Sequence, residues 1–261
     1  MYYIYVYDKS FEGLLTTLFD AYARKQFPDE LRAEGEPLPL FCEATLTVRT
    51  DTEKADRVWR GLAKRLSPLA LSVVVEVWLS EQPGADMLLF RYMRQAFDAP
   101  RSIELNMGDP VVLEVTKLWK KVRAERLRVV QFFRFQKAAD GTYFAAVAPL
   151  YNVLPLVIPY ALDRFADQRW LIYDVRRSYG FYYDLREATE VRFSDEDASR
   201  LSGLLDERIM DKDERLFQAL WRAYFHATAI KERLNPRLQR QHMPVRFWQF
   251  MPEKQMMRLP L

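Results

Sequence analysis

The sequence predicts an α+β protein, with a mainly helical N-terminal half and an antiparallel sheet with helices in the C-terminal half. Two observations predict this class. Apolar residues recur at helical spacing through most of residues 10–126, and two hairpin patterns of β-branched and aromatic residues follow. We expect a single domain over residues 1–261. A subdivision into 1–127, mostly helical, and 128–261, α+β, is the alternative.

The N-terminal half is predicted to contain two strands and several helices. Alternation over Tyr2 to Tyr7 predicts a strand, and Ser10 is a helix N-cap before an apolar stripe. The β-branched content from Phe41 to Arg49 predicts a second strand. Further helix starts are predicted at a capping box, at a proline in the first helical position, after Pro83-Gly84 and after Asp109-Pro110. These predictions place helices after Thr50, after Ser67, over 86–97 and over 111–126.

The C-terminal half contains the sheet. Val129 to Gln136 and Tyr143 to Ala148 flank Ala139-Asp140-Gly141, which predicts a hairpin with Asp-Gly at its turn. A second hairpin joins 169–174 to 179–184. The remaining predictions are a short strand over 190–193 and helices over 152–165, 194–210 and 211–231.

Composition limits the class of protein. Charged residues make up 29% and hydrophobic residues 49%, as in a globular domain, and no stretch approaches the roughly 20 apolar residues of a membrane span. The N-terminus has neither the basic leader nor the cleavage site of a signal peptide. The single cysteine, Cys42, excludes an intramolecular disulfide and an iron–sulfur cluster held by this chain alone. We expect a cytoplasmic protein without a membrane partner.

Positive charge is concentrated in two blocks. Residues 117–137 have a net charge of +7 and residues 231–261 have +5, whereas the whole chain has +3. Two such blocks are typical of a protein that contacts a polyanion, and a solvated helix face plus a solvated tail is the alternative. In the tail, arginines alternate with aromatic residues between Pro236, Pro244 and Pro252. That pattern fits a surface that binds phosphates, although Phe247 and Trp248 would equally anchor the tail on the core.

Catalytic motifs are absent from the sequence. There is no Walker A loop, no dinucleotide fingerprint and no nucleophile elbow, and neither histidine has a metal-ligand spacing with Cys42. Asp174 and Asp184 end neighbouring predicted strands and could lie close together, although strand-end aspartates usually form turns. The aromatic run from Tyr179 to Tyr183 could stack on bases, and a packed sheet face is the more common outcome.

The chain resembles the DUF4130 family in three places. The clearest lies at residues Glu232, Arg233, Asn235, Pro236, Met243, Pro244, Arg246, Phe247, Trp248, Met251, Pro252 and Glu253. The segment from Tyr7 to Leu15 is similar too, except that Lys9 stands where the family pattern has glycine. Similar segments in the middle of the chain are Phe133-Arg134-Phe135, Leu154-Pro155-Leu156 and the run from Arg164 to Trp170.

The resemblance implies an association with DNA metabolism or repair and with a radical SAM partner, which would supply its own cluster. It also implies a uracil-DNA glycosylase-like protein as a further partner, whose own motifs this chain lacks. The main hypothesis is a DNA-binding or accessory subunit without a cofactor or metal of its own. Its candidate DNA-contacting residues are Lys117, Lys120, Lys121, Arg123, Arg233, Asn235, Arg237, Arg240, His242, Arg246 and Trp248.

Two other classes of function stay open at this point. The chain could be an enzyme acting on a nucleobase or nucleotide, with Asp174, Asp184, His242 and the tail arginines converging on a pocket beside the sheet. It could also be a protein–protein adaptor whose basic tail meets an acidic partner without DNA contact.

Overall fold

A computed structural model describes residues 2–39, 44–193, 205 and 208–255. Cys42 and most of the helix predicted over 194–210 lie outside these residues. The chain forms two compact units, residues 1–123 and residues 124–261, and the boundary between them falls within a single helix.

Helices dominate the part of the chain that the structure describes. The α-helices are α1 Phe11–Arg24, α2 Thr52–Ala63, α3 Pro68–Trp78, α4 Ala85–Asp98, α5 Pro110–Phe132, α6 Leu154–Arg164, α7 Glu214–Ala227, α8 Pro236–His242 and α9 Pro252–Gln255. The strands are β1 Tyr3–Tyr7, β2 Glu30–Ala33, β3 Ala44–Thr47, β4 Gln136–Lys137, β5 Tyr143–Val147, β6 Trp170–Asp174, β7 Tyr179–Tyr183 and β8 Ala188–Val191. Two 3-10 helices, Lys231–Arg233 and Val245–Phe250, complete the tail. The predicted α+β class is confirmed.

The first unit packs helices α1 to α4 and the start of α5 around a small parallel sheet of order β2-β1-β3. Ser10 is the predicted N-cap of α1, and its hydroxyl accepts from the backbone N–H of Gly13 at 2.9 Å. Ser67 caps α3 in the same way, with Pro68 in the first turn. The parallel strand β2 was not predicted, because its four residues, although they alternate polar and apolar side chains, include no β-branched or aromatic residue.

The capping box predicted at Thr50 is wrong by one residue. Asp51 is the N-cap of α2, since its carboxylate accepts from the backbone N–H of Lys54 at 3.1 Å. The Thr50 hydroxyl donates instead to Asp8 at 2.8 Å, and Asp8 also accepts from Ser10. A partner distant in sequence therefore takes the hydroxyl that local spacing assigned to the cap.

The structure shows why glycine is expected at position 9 and what Lys9 contributes there. It lies at φ 57°, in the left-handed region that favours glycine. Its ammonium group lies 2.6 Å from the carboxylate of Asp86, which also accepts from the Tyr7 hydroxyl at 3.1 Å. The lysine therefore accepts backbone strain in this turn and gains an ion pair with a nearly buried carboxylate.

The second unit is built on a five-stranded sheet of order β4-β5-β6-β7-β8. The second predicted hairpin is present and antiparallel. Of the first, the turn is present, with the positive φ at Gly141 that it requires and a two-residue antiparallel pairing beside it. The pair β5–β6 is parallel, with α6 in the connection between the two strands, so the sheet is mixed. None of the helices in the described part of the chain combines the length and the apolar character of a membrane span.

The strand predicted from Val129 to Gln136 is mostly helix. Helix α5 continues to Phe132, and only Gln136 and Lys137 pair with β5. Val122, Val129 and Phe132 are all buried on α5. The apolar side of the helix thus continues through residues whose β-branched composition alone favours a strand.

Candidate nucleic-acid interface

Four basic side chains project from the last turns of α5 that belong to the first unit. Lys117, Lys120, Lys121 and Arg123 are exposed, and none of them forms an ion pair with a residue that the structure describes. Trp119 fixes this part of the helix, because its indole N–H donates to the carboxylate of a glutamate on α3 at 2.9 Å. The Arg123 guanidinium lies 5.3 Å from the Trp119 ring centroid. These charges are available to a ligand.

Two of the four lysine and arginine side chains line a groove between α4 and α5. Lys117 and Lys121 are one helical turn apart and, together with Arg91 of α4, line a cavity of about 680 Å³. Glu114 is the carboxylate residue in the lining, so three positive side chains meet one negative side chain. An anionic ligand, such as a phosphate backbone, complements this wall.

The remainder of the first basic block is engaged within the second unit. Arg126 donates to the backbone carbonyl of Leu156 at 2.8 Å. The other three cations pair with carboxylates, in the pairs Arg128–Glu125 at 3.5 Å, Arg134–Glu253 at 3.0 Å and Lys137–Asp211 at 3.4 Å. Of the +7 block, the part before Ala124 therefore keeps its charge for a partner, and the part after it is largely neutralised.

The first half of the tail is exposed. Asn235 caps the short helix α8, and its side chain accepts from the backbone N–H of Leu238 at 3.0 Å. Arg233, Arg237, Arg240 and His242 are exposed around this helix. Arg240 spends one N–H on a backbone carbonyl of its own helix at 3.2 Å. Asn235 therefore has a structural role here, and the cations around it face solvent.

The second half of the tail is packed into the second unit. Arg246 donates from Nη2 to the carboxylate of Glu125, which is fully buried and also accepts from the backbone N–H of Leu150 at 2.9 Å. The Trp248 indole N–H donates to the carbonyl oxygen of Met243 at 3.1 Å. Phe247 is 2% exposed and lies against the last turn of α5. These contacts fix the tail on the fold.

Two charged residues at the end of the tail are also buried. Glu253 is 1% exposed and accepts from Arg134, and Lys254 is 1% exposed with its ammonium 4.7 Å from the Phe225 ring and 5.2 Å from the Trp248 ring. Burial lowers the pKa of Lys254, and the neighbouring carboxylate of Glu253 opposes this shift. The family-like motif from Met243 to Glu253 is therefore chiefly an anchor in this structure.

Asp174 and Asp184 do not lie close together, and the more common outcome, in which each aspartate forms a turn, is confirmed. Strands β6 and β7 are antiparallel, with Asp174 opposite Tyr179 at the turn and Trp170 opposite Tyr183 at the far end, so the two carboxylates lie at opposite ends of the hairpin. At about 3.3 Å per residue this separation is roughly 15 Å. The enzyme hypothesis placed both groups in one pocket, and the strand directions exclude that arrangement.

Each of the two aspartates has a local role. Burial raises the pKa of Asp174, while a hydrogen bond from Arg177 at 2.9 Å opposes the shift. Asp184 caps a turn and accepts from the backbone N–H groups of Arg186 and Glu187. In the described residues no group of three His, Cys, Asp or Glu side chains is placed to hold a metal ion. In the aromatic run on β7, Tyr179 and Tyr183 are 6% and 7% exposed and pack within the unit.

Comparison with known proteins identifies the family. The model of DUF4130, a domain of unknown function, matches residues 83–253, which is more than half of the chain. The chain belongs to the DUF4130 family. No functionally curated protein matches it.

Among solved structures, this DUF4130 protein is similar to a pGpG-specific phosphodiesterase from Vibrio cholerae. The two are 13% identical, with a TM-score of 0.33, and the alignment covers 77% of this chain and 96% of the other. At that score the likeness carries no argument about fold or function.

Sequence reasoning missed two features of this DUF4130 chain. One is Glu125, the acceptor for Arg246 and Arg128, whose sequence signal is its position as the single acid in a +7 block. The other is the exposure of apolar side chains on α7, which helical spacing alone assigns to a buried face.

Proposed function

We propose that this protein is a DNA-contacting accessory subunit in DNA repair or modification, acting with a radical SAM enzyme. The observation that carries the DNA part is the row of exposed basic side chains on α5, from Lys117 to Arg123, which lack carboxylate partners among the described residues. The radical SAM partner is implied by the family resemblance.

The physical case rests on the contrast between the two kinds of basic residue. Arg134 and Arg246 are paired with buried carboxylates, so their charges are already neutralised within the protein. Lys117 and Lys121 are exposed and share the wall of a groove, so a phosphate backbone that binds there releases counterions without breaking an internal ion pair. Contacts of this kind give affinity for DNA without reading its sequence.

The test is the binding of labelled single- and double-stranded DNA across a salt series, with and without the radical SAM partner. The wild-type protein is compared with the double variant Lys117→Ser/Lys121→Ser. A matched control is Lys64→Ser/Arg65→Ser, which removes two exposed charges at the end of α2, away from the groove. Thermal melting of all three proteins shows whether the fold is retained.

The groove variant is expected to bind duplex DNA more weakly, with the slope of log K against log salt smaller by about 1.8, or about 0.9 for each lost phosphate contact. The control is expected to keep most of the wild-type slope. No binding by the wild-type protein at about 50 mM salt, alone or with the partner, refutes DNA contact. Equal losses in both variants refute the groove as the place of contact.

A further inference from the structure

The side of helix α7 that packs against its own unit is mainly polar. Glu214 is 7% exposed, and its carboxylate accepts from the backbone N–H of Lys137 at 3.0 Å and from the Gln218 side chain at 3.0 Å. Phe225, about two turns beyond Gln218, lies under the ammonium of Lys254. The side of α7 that packs on its own unit is thus formed mainly by residues that usually face water.

The other side of α7 is apolar and exposed. Its residues are exposed and lie on one arc, which spans about 200° around the helix axis at 100° per residue. The large ones are Leu216 at 59%, Phe217 at 61%, Leu220 at 55%, Trp221 at 40% and Tyr224 at 60%. Ala219, Ala223 and Ala227 fill the rest of the arc. The helix is amphipathic, with its apolar side turned away from its own unit.

The size of this arc is at the upper end of the apolar patches that monomers expose, and patches of that size are often functional. Taking about 200 Å² for a fully exposed large side chain, the five large residues expose roughly 550 Å². A monomer's largest apolar patch is typically about 300–600 Å², and one side of a standard interface covers about 800 Å². The arc therefore supplies most of one side of an interface.

The charges beside the arc select among possible occupants. Arg222 and His226 lie one turn apart along one edge, and Glu214, the helix's carboxylate residue, is buried. In a symmetric antiparallel pair with a second copy, this edge would meet itself and place cation against cation. In a parallel pair it would meet the opposite edge, where the Arg134 guanidinium lies 6.0 Å from the Trp221 ring. The exposed Asp213, the N-cap of α7, lies near the middle of the arc, so neither pairing supplies an acidic side chain of α7 to the Arg222 edge.

A nucleic acid is also a poorer match than a protein. Aliphatic and alanine side chains make up most of the arc, and no positive side chain lies within it to contact phosphates. An amphipathic helix satisfies both observations, because its apolar stripe covers Leu220 and Tyr224 while acidic side chains at its border meet Arg222.

We propose that the exposed arc of α7 docks an amphipathic helix of a partner protein whose apolar stripe is bordered by acidic side chains. This docking surface rests on the proposed accessory role only in that both require a protein partner. It uses none of the α5 residues assigned to DNA.

The test uses two synthetic peptides of about 20 residues, because shorter helices are marginal in water. Both carry the same leucine stripe, bordered by glutamates in one peptide and by lysines in the other. Binding is measured by anisotropy to the full chain, to Leu220→Ser/Tyr224→Ser and to the control Leu69→Ser, which changes a leucine on α3 that is 61% exposed. Sedimentation reports self-association, and labelled single- and double-stranded DNA is titrated in parallel.

The expected result is that the acidic peptide binds at least about tenfold more tightly than the basic one, and that the α7 variant loses about tenfold or more of this affinity. The Leu69→Ser control is expected to bind the acidic peptide as tightly as the wild type does. The wild-type protein is expected to be monomeric, and the α7 variant to keep its affinity for DNA. Binding of neither peptide, or equal binding of both, overturns the proposal, as does dimerisation that the α7 variant abolishes. A loss of single-stranded DNA affinity in that variant, without peptide binding, assigns the arc to nucleic acid and overturns it too. If peptide binding holds while the wild-type chain binds no DNA, the proposed function fails alone.

Discussion

The substitution Arg246→Met tests whether the family motif in the tail anchors the fold or grips DNA. It keeps most of the side-chain volume and removes the charge that faces Glu125, a carboxylate with 0% exposure. Glu125 would keep the backbone N–H of Leu150 at 2.9 Å and the distant guanidinium of Arg128 at 3.5 Å. Breaking one side of a buried pair typically costs about 3–5 kcal/mol. The Arg246 side chain is 28% exposed, which places the expected loss near 3 kcal/mol.

The assay is thermal and urea unfolding. At roughly 3 °C per kcal/mol for a domain of this size, the melting temperature should fall by about 10 °C. The double variant Glu125→Gln/Arg246→Met should recover part of the loss, because no buried charge is left unpaired. Arg237→Met, on the exposed side of α8, should change stability by less than about 0.5 kcal/mol. The reasoning is refuted if Arg246→Met unfolds like the wild type and instead weakens DNA binding.

Three further predictions concern the backbone and one carboxylate. Lys9→Gly should be more stable than Lys9→Ala by about 1 kcal/mol in urea unfolding, because position 9 has φ 57°; equal stability would contradict the strain. Burial raises the pKa of Asp8, but hydrogen bonds from Ser10 and Thr50 together outweigh it and leave the pKa below its usual value. Its stabilising effect is therefore present at neutral pH and lost as the pH falls through the folded pKa, so Asp8→Asn should be less stable than wild type at pH 7, with the gap closing in acid. Gly180→Ala should cost about 1–3 kcal/mol, because a Cβ there would lie 2.6 Å from a carbonyl oxygen of β6, whereas Gly108→Ala has only ordinary contacts and should be nearly neutral.

Local chemistry predicted the elements well where it had no distant competitor. Ser10 and Ser67 cap the helices that their positions indicate, and Gly141 forms the predicted turn. The errors arise where a tertiary contact outweighs a local preference. Thr50 bonds to Asp8 rather than capping α2, and Val129 continues a buried helical face in spite of its β-branched side chain.

The candidate site was predicted in part, for a similar reason. Net charge over a window locates Lys117 and Lys121, which stay exposed. The same count includes Arg134 and Arg246, and it cannot show that each of them meets a buried carboxylate from a distant part of the chain. A count of charges gives the number of cations, and only the fold decides which of them remain for a partner.

The paired residues of the family-like tail are poor candidates for binding a ligand. Its most distinctive residues, from Met243 to Glu253, are occupied by contacts within the second unit: Arg246 with Glu125, and Glu253 with Arg134. Residues so occupied can bind a ligand only by giving up a buried partner, at a cost of several kcal/mol. Among the described residues, the lysines of α5, the apolar arc of α7 and the exposed Arg233 and Arg237 of the tail have no such partner and carry no cost of this kind. The motif that identifies the family therefore explains how its tail is held, and the less distinctive exposed surfaces are the places to test for DNA and protein partners.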